Sequence, residues 1–434
     1  MSLYANNNVI TNIIDPVYNR SKQRTVFELP NDTALLGNMR IGNFGISANT
    51  QTSYLSGIGA LGAIDSIMLE SQDGTVIDQV QNFQIYQSFK QYNRNNQRQK
   101  DRASNLSKNN QASMFNDVTD ANEDGPKITD YDINDPSRYV ATTEDATAKG
   151  WYGLDGCLNI LKAMPIINTK ILRNLRLVIN YASTSDIGDY VINNTSLPFE
   201  TTQPFLIVDE LRDPPISGFQ PVEFNSIEHD SVSVSSILPT AAEITKVQNV
   251  SVSLNGFRNK SIQRMLICKT PQLASSYTIS AGVAMPYGKV ASVACLKESL
   301  QISVNGSNLF TENGITSSNQ RLAMLNDVYD VCSTYPFLNG MAYVEADATD
   351  RNASIKSGNS DISQLDFYGC LIQSEISDLK LNWTRTGVYV EKTTDSSVIT
   401  PEASNNQALV LNCFAEVKKM IAPTSDGGFL VQYV

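Results

Sequence analysis

The stretch LRDPPISGFQP, Leu211 to Pro221, interrupts the chain at its centre. It holds three prolines and follows an apolar run, FLIVDEL. Proline fixes φ and donates no backbone hydrogen bond, so neither a strand nor a helix continues through it. Residues 1–213 precede Pro214 and residues 222–434 follow Pro221, leaving 213 residues on each side. A chain that stops and restarts at its midpoint implies two domains of similar size, and about 200 residues is enough for each to bury its own core.

The segments on either side are short and alternate with period two, as half-buried strands do. In the first half these are RTVFEL (24–29), LLGNMRIGNFGI (35–46), GAIDSIMLES (62–71), TVIDQV (75–80), NLRLVINYA (174–182) and FLIVDEL (205–211). In the second half they are VSVSSI (232–237), NVSVSLNGF (249–257), RMLICK (264–269), ESLQISVNG (298–306), ISDLKLNWT (376–384), GVYVEK (387–392) and ALVLNCFAEV (408–417). Many short strands between turn residues indicate an all-β sandwich or barrel.

Three of these runs recur in the same order. IMLESQDGTVI turns at Gly74 and LQISVNGSNLF at Gly306, 232 residues later. NLRLVIN from Asn174 matches DLKLNWT from Asp378, and FLIVDEL from Phe205 falls opposite LVLNCFA from Leu409, each 204 residues apart. The offset falls by 232 − 204 = 28, so the first half carries 28 extra residues between its anchors. Their source is the stretch 83–150, where the strand pattern vanishes. NFQIYQSFKQYNRNNQRQKDRASNLSK lacks glycine and proline and suits a helix, with Lys90, Arg94, Arg98 and Arg102 on one face near Tyr86, Phe89 and Tyr92. From Asp117 to Asp145 nine acidic residues stand against two basic ones. The stretch 83–150 is therefore expected to be an insertion, part helix and part loop, with its basic face turned to solvent or to the acidic stretch. The chain divides into an arm (1–23), a first sandwich (24–213), a linker (214–221) and a second sandwich (222–434).

Charge and chemistry narrow the function. The formal net charge is −11, which argues against a surface devoted to nucleic acid. Charged residues are 18% of the chain against a typical quarter, which suits a protein that covers its surface with partners. No apolar run is long enough for a membrane helix, and the N-terminus lacks the pattern of a signal peptide, so synthesis in the cytosol is expected and the sequons at Asn249, Asn305 and Asn382 are expected to stay unmodified. Cys157, Cys268, Cys295, Cys332, Cys370 and Cys413 form no C-x-x-C pair and read as buried free thiols.

His229 is the one histidine, so no multi-histidine metal site can form. Glu228 and Asp230 flank it, but sequence neighbours on a strand face opposite ways, and a structural histidine is the favoured reading. Neither a P-loop nor a G-x-S-x-G turn is present. No catalytic residues and no cofactor are expected. DANEDG (120–125) matches the start of an EF-hand loop through Asp120, Asn122 and Asp124, but its twelfth position is Tyr131 rather than the bidentate glutamate. An acidic solvated loop is favoured over a calcium site.

Three segments also resemble the major capsid proteins of Polinton-like viruses, adintoviruses and virophages: RTVFELPNDTALLGNMRIGNFGI (24–46), GCLNILKAMPIINTKILRNLRLVINYA (156–182) and SLNGFRNKSIQRMLICK (253–269). The three segments together hold 67 of the 434 residues. The resemblance implies a double jelly-roll fold, two eight-stranded sandwiches in tandem. It also implies homotrimers of pseudo-hexameric outline that tile an icosahedral virion shell beside penton and minor capsid proteins, with 83–150 as a surface tower and the arm lying on neighbours or the inner shell. Direct sequence-specific contact with nucleic acid is not expected. The rival reading is a jelly-roll carbohydrate-binding or adhesin-like module; such proteins are normally secreted, and the chain shows no signal peptide.

Overall fold

A computed structural model describes residues 9–48, 63–92, 146–182, 199–211, 220–237, 239–240, 242–243, 245–272, 296–311, 313–329, 367–388, 408–424 and 428–434. The first half supplies β1 (Val9–Ile14), β2 (Tyr18–Arg20), β3 (Arg24–Glu28), β4 (Ala34–Leu36), β5 (Arg40–Ala48), β6 (Ile64–Ser71), β7 (Val76–Val80), α1 (Phe83–Tyr92), β8 (Ala146–Gly153), α2 (Asn159–Ala163), β9 (Ile166–Asn168), β10 (Leu175–Tyr181), β11 (Phe199–Thr201) and β12 (Phe205–Leu211). The second half supplies β13 (Val222–Val234), β14 (Thr245–Ser253), β15 (Ser261–Pro271), β16 (Leu296–Val304), β17 (Ser307–Asn308), α3 (Ser318–Tyr329), β18 (Phe367–Glu375), β19 (Leu379–Val388), β20 (Leu409–Pro423) and β21 (Phe429–Tyr433).

The strands pair into four sheets. In the first half, β1, β12, β5 and β8 are neighbours in that order, with β4, β9 and β11 at the margins. Opposite them run β3, β10, β6 and β7, with β2 on the outer edge of β3. In the second half the orders are β13-β20-β15-β18, with β21 on β20, and β14-β19-β16-β17. Numbering the eight core strands of each half along the chain gives 1-8-3-6 and 2-7-4-5 both times. That is two Greek keys closed into a sandwich, the jelly-roll order. The duplication read at three anchors extends to the whole strand order.

The anchors fall on matching elements. Gly74, between β6 and β7, and Gly306, between β16 and β17, have φ of +88° and +83°, where a side chain would be strained. β10 and β19 each lie inside their sheet, of five and four strands respectively, and a helix follows the hairpin in both halves.

Several elements differ from the sequence reading for identifiable reasons. The run 35–46 is broken into β4 and β5 at Gly37, where the backbone passes so close to α2 that a Cβ would stand 2.2 Å from the Leu161 carbonyl oxygen and 2.7 Å from that of Met164. Residues 9–20, read as part of an arm, form β1 and β2: Val9 to Ile14 pair antiparallel with Leu211 to Leu206. β8 begins at Ala146, inside the stretch read as insertion, and pairs with β5. The helix expected after Phe83 is present as α1, with Phe83, Ile85 and Tyr86 buried.

The sandwich interiors are apolar. In the first, Phe27, Ile67, Leu177 and Ile179 are buried, as are Ile41, Leu206 and Val208 on the opposite sheet. The rings of Phe44 on β5 and Tyr181 on β10 stack between the sheets, centroids 6.1 Å apart. In the second, Met265, Ile267, Leu300, Ile302, Leu381, Trp383 and Leu411 are buried.

The chain packs into two compact units. One comprises Met1–Gln87, Asp101–Glu228 and Val417–Val434; the other comprises Ser88–Lys100 and His229–Glu416. By pairing, β13 and β20 belong to the sheet of the second half. By packing, the start of β13, the end of β20 and all of β21 belong to the first unit. Most of the proline segment lies outside the described residues.

Candidate functional site

Two buried polar clusters hold the charged side chains that the apolar interiors would otherwise reject. In the second unit, Glu298 on β16 is the hub. Its carboxylate accepts hydrogen bonds from Lys269 Nζ on β15 at 2.9 and 3.0 Å, from Trp383 Nε1 on β19 at 3.3 Å, and from Arg321 on α3. Arg321 also donates to Tyr368 Oη on β18 at 3.3 Å. Lys269, Trp383 and Tyr368 are fully buried and Glu298 nearly so. The β16–β19 register slips between Leu296 and Ser299, a bulge at the hub itself. Burial, with Glu298 adding to it, pushes the Tyr368 hydroxyl far above its ordinary value. Two cations around one carboxylate at this depth fasten helix to sheet; every titratable group is engaged by another.

Helix α3 is held at both ends as well. Ser317 Oγ accepts from the Gln320 amide at 3.2 Å, while Gln320 Oε1 accepts from the Ser317 amide at 3.1 Å, a reciprocal cap. At the other end Arg264 donates to the Val328 carbonyl at 2.7 Å, pairs with Glu416 at 2.7 Å and lies over the Tyr329 ring.

In the first unit, Asp78 on β7 is buried. It accepts from the Ile160 amide on α2 at 3.0 Å and from Ser226 Oγ on β13 at 2.7 Å. Lys419 Nζ on β20 donates to Ser226 Oγ at 3.2 Å and pairs with Glu228 at 2.6 Å; Tyr433 Oη on β21 donates to Glu228 at 3.1 Å. Burial raises the Asp78 carboxyl above the ordinary range, against the opposing pull of the Ile160 amide, Ser226 and Lys419. A third cluster fixes β1: Asp209 accepts from Thr11 at 2.7 Å, Asn38 at 2.9 Å and Arg40 at 3.0 Å.

The residues singled out in the sequence fall as follows. His229 is half-buried, its Nε2 is 3.1 Å from Asn412 Oδ1, and its ring lies 4.7 Å from that of Phe414. Burial lowers its pKa, partly opposed by Asn412 and Asp230, so it is neutral at pH 7. This is a packed structural histidine. Cys157, Cys268, Cys370 and Cys413 are buried thiols; burial pushes the Cys370 thiol up to about 12 and the Cys268 and Cys413 thiols up as well. Cys295 and Cys332 lie outside the described residues. So do Asp120, Asn122 and Asp124, and Arg94, Arg98 and Arg102 of the basic stripe. Among the described residues no three His, Cys, Asp or Glu side chains are grouped to hold a metal ion, and no helix is long and apolar enough to cross a membrane. In the sequence Asp78 stands inside the apolar run TVIDQV, Glu298 at the start of ESLQISVNG, and Lys419 just beyond ALVLNCFAEV. The signal was there: a charged residue at an inward strand position needs a buried partner.

Neither the protein-family models nor the curated protein sequences match the chain. Solved structures match its fold along the whole length. The cryo-EM structure of the Sputnik virophage aligns with a TM-score of 0.58 at 10% identity, covering 100% of this chain and 90% of that one. PBCV-1 VP54, fitted into a reconstruction of the same virophage, gives 0.56 at 12% identity, covering 100% and 99%. The mavirus major capsid protein gives 0.52 at 11% identity, covering 98% and 90%. At these identities the likeness is one of fold. The chain is all-β, two jelly rolls in tandem.

Proposed function

We propose that the chain is a major capsid protein that forms a homotrimer and tiles an icosahedral virion shell. The observation that carries this reading is the eight-strand order written twice in one chain. Three such chains around a three-fold axis present six similar barrels, so one polypeptide can fill a hexagonal lattice. The mavirus major capsid protein, similar in fold over nearly the whole of both chains, supports the reading. The buried clusters fit it too: they lock helix and strand to sheet and offer no open chemistry. Partners are then neighbouring trimers, with penton and minor capsid proteins at special positions, and the protein resides in the virion.

Light scattering coupled to size-exclusion chromatography tests this. The expected mass is 3 × 47.7 = 143.1 kDa. Interfaces of obligate oligomers bury more than about 2,000 Å² and survive micromolar dilution. A 47.7 kDa monomer at all accessible concentrations overturns the proposal.

A further inference from the structure

Asp78, Ser226, Lys419, Glu228 and Tyr433 come from four strands, β7, β13, β20 and β21, and meet inside the first unit. We propose that this cluster is a proton-operated fastener: it holds the start of β13 and the C-terminal strands in the first unit, and acidification tightens it. The inference stands apart from the assembly reading and needs only the fold.

Charge within the cluster decides the direction. Groups facing Asp78 are the Ile160 amide from α2, Ser226 and, beyond it, Glu228 from β13, Lys419 from β20, and Tyr433 from β21 through Glu228. With Asp78 ionised, a negative charge sits at a buried position where the Ile160 amide and Ser226 donate to it, while Lys419 reaches it only through Ser226 and pairs directly with Glu228. With Asp78 protonated, that buried charge is gone and the Lys419–Glu228 pair is left intact. Burial raises the proton affinity of Asp78 above the ordinary carboxylate value of 3.8. A raised folded pKa gives stability that is complete below the unfolded value and is lost as pH rises through the folded value. The seam therefore strengthens as pH falls towards the ordinary carboxylate range. His229 acts in the opposite sense: burial favours its neutral form, so acid works against it. A test must isolate Asp78.

The test compares urea unfolding of the full chain and of Asp78→Asn from pH 8 to pH 4. Asn keeps an acceptor for the Ile160 amide and removes the charge. The variant is expected to be the more stable at pH 8, and the gap should close towards pH 4. The ratio of unfolding constants can change by at most a factor of ten per pH unit, the limit for one proton. A gap constant across the range overturns the proposal. If Asp78→Asn does not fold, hydrogen exchange on the native chain decides. The Ala422 and Leu430 amides, in the β20–β21 pairing, should gain protection as pH falls, after correction for intrinsic exchange, relative to Val250 and Leu381 in the second unit. Equal or reduced protection overturns it.

Discussion

Glu298 shows what one side chain can hold. It neutralises Lys269 at 2.9 Å, ties Arg321 of α3 to the sheet and accepts from Trp383. Removing one partner of a buried ion pair leaves the other charge without compensation, at a cost of roughly 3–5 kcal/mol. Glu298→Ala is accordingly expected to destabilise the chain by that amount in urea unfolding. Replacing all three charges together, Lys269→Met, Glu298→Leu and Arg321→Met, should cost much less, because burying well-packed apolar groups in place of an ion cluster is often neutral. If the triple variant is worse than the single one, the uncompensated charge is not the cause. In the sequence, Lys269 and Glu298 stand at the ends of the apolar runs RMLICK and ESLQISVNG, where a charge reads as a strand terminus. Only the fold reveals that β15 and β16 bring them together.

At the scale of the element, strands were legible where one face is apolar and hidden where the inward face is polar. β7, β10, β12, β15 and β20 are legible because most of their buried residues are apolar, although Asp78, Asp209, Lys269 and Lys419 are buried among them. β13 starts ten residues before the run VSVSSI because its inward residues include Ser226 and Glu228, which break the alternation. Helix α3 was missed for a similar reason: its buried face mixes Leu325 with Arg321. Its start was nonetheless written as Ser317-x-x-Gln320, a capping box. Ser317→Ala should cost about 1 kcal/mol of stability, within the usual range for such caps. Gly369→Val should act more strongly on the same helix, since a Cβ at Gly369 would lie 2.9 Å from Leu325 Cα. Both effects should appear as faster exchange of the α3 amides. Unchanged α3 exchange in Gly369→Val would mean that β18 does not seat the helix.

For the whole molecule, the proline segment marks the duplication in sequence, but the compact units do not end there. The first unit takes in 222–228 and 417–434 from the second half, including buried Phe224, Ile227 and Ile421. A protease site placed between Pro215 and Ile216 should therefore cut the chain without separating it. The two pieces are expected to run apart under denaturing conditions and together on native size exclusion, with unchanged near-ultraviolet circular dichroism. Residues 1–213 produced alone lack Ser226, Glu228, Lys419 and Tyr433, and they lack the apolar side chains that cover the same face. That fragment is expected to lose cooperative unfolding, because Asp78 and the surface around it would lie open to water and the sandwich would surrender part of its core. Extending the fragment to residue 228 restores Ser226 but not Lys419, so it should recover little; adding residues 417–434 in trans should recover more. A fragment 1–213 that unfolds cooperatively with the midpoint of the intact chain would show that the first jelly roll is complete without the second half. The contribution of β13, β20 and β21 to the first unit would then be contact without stability.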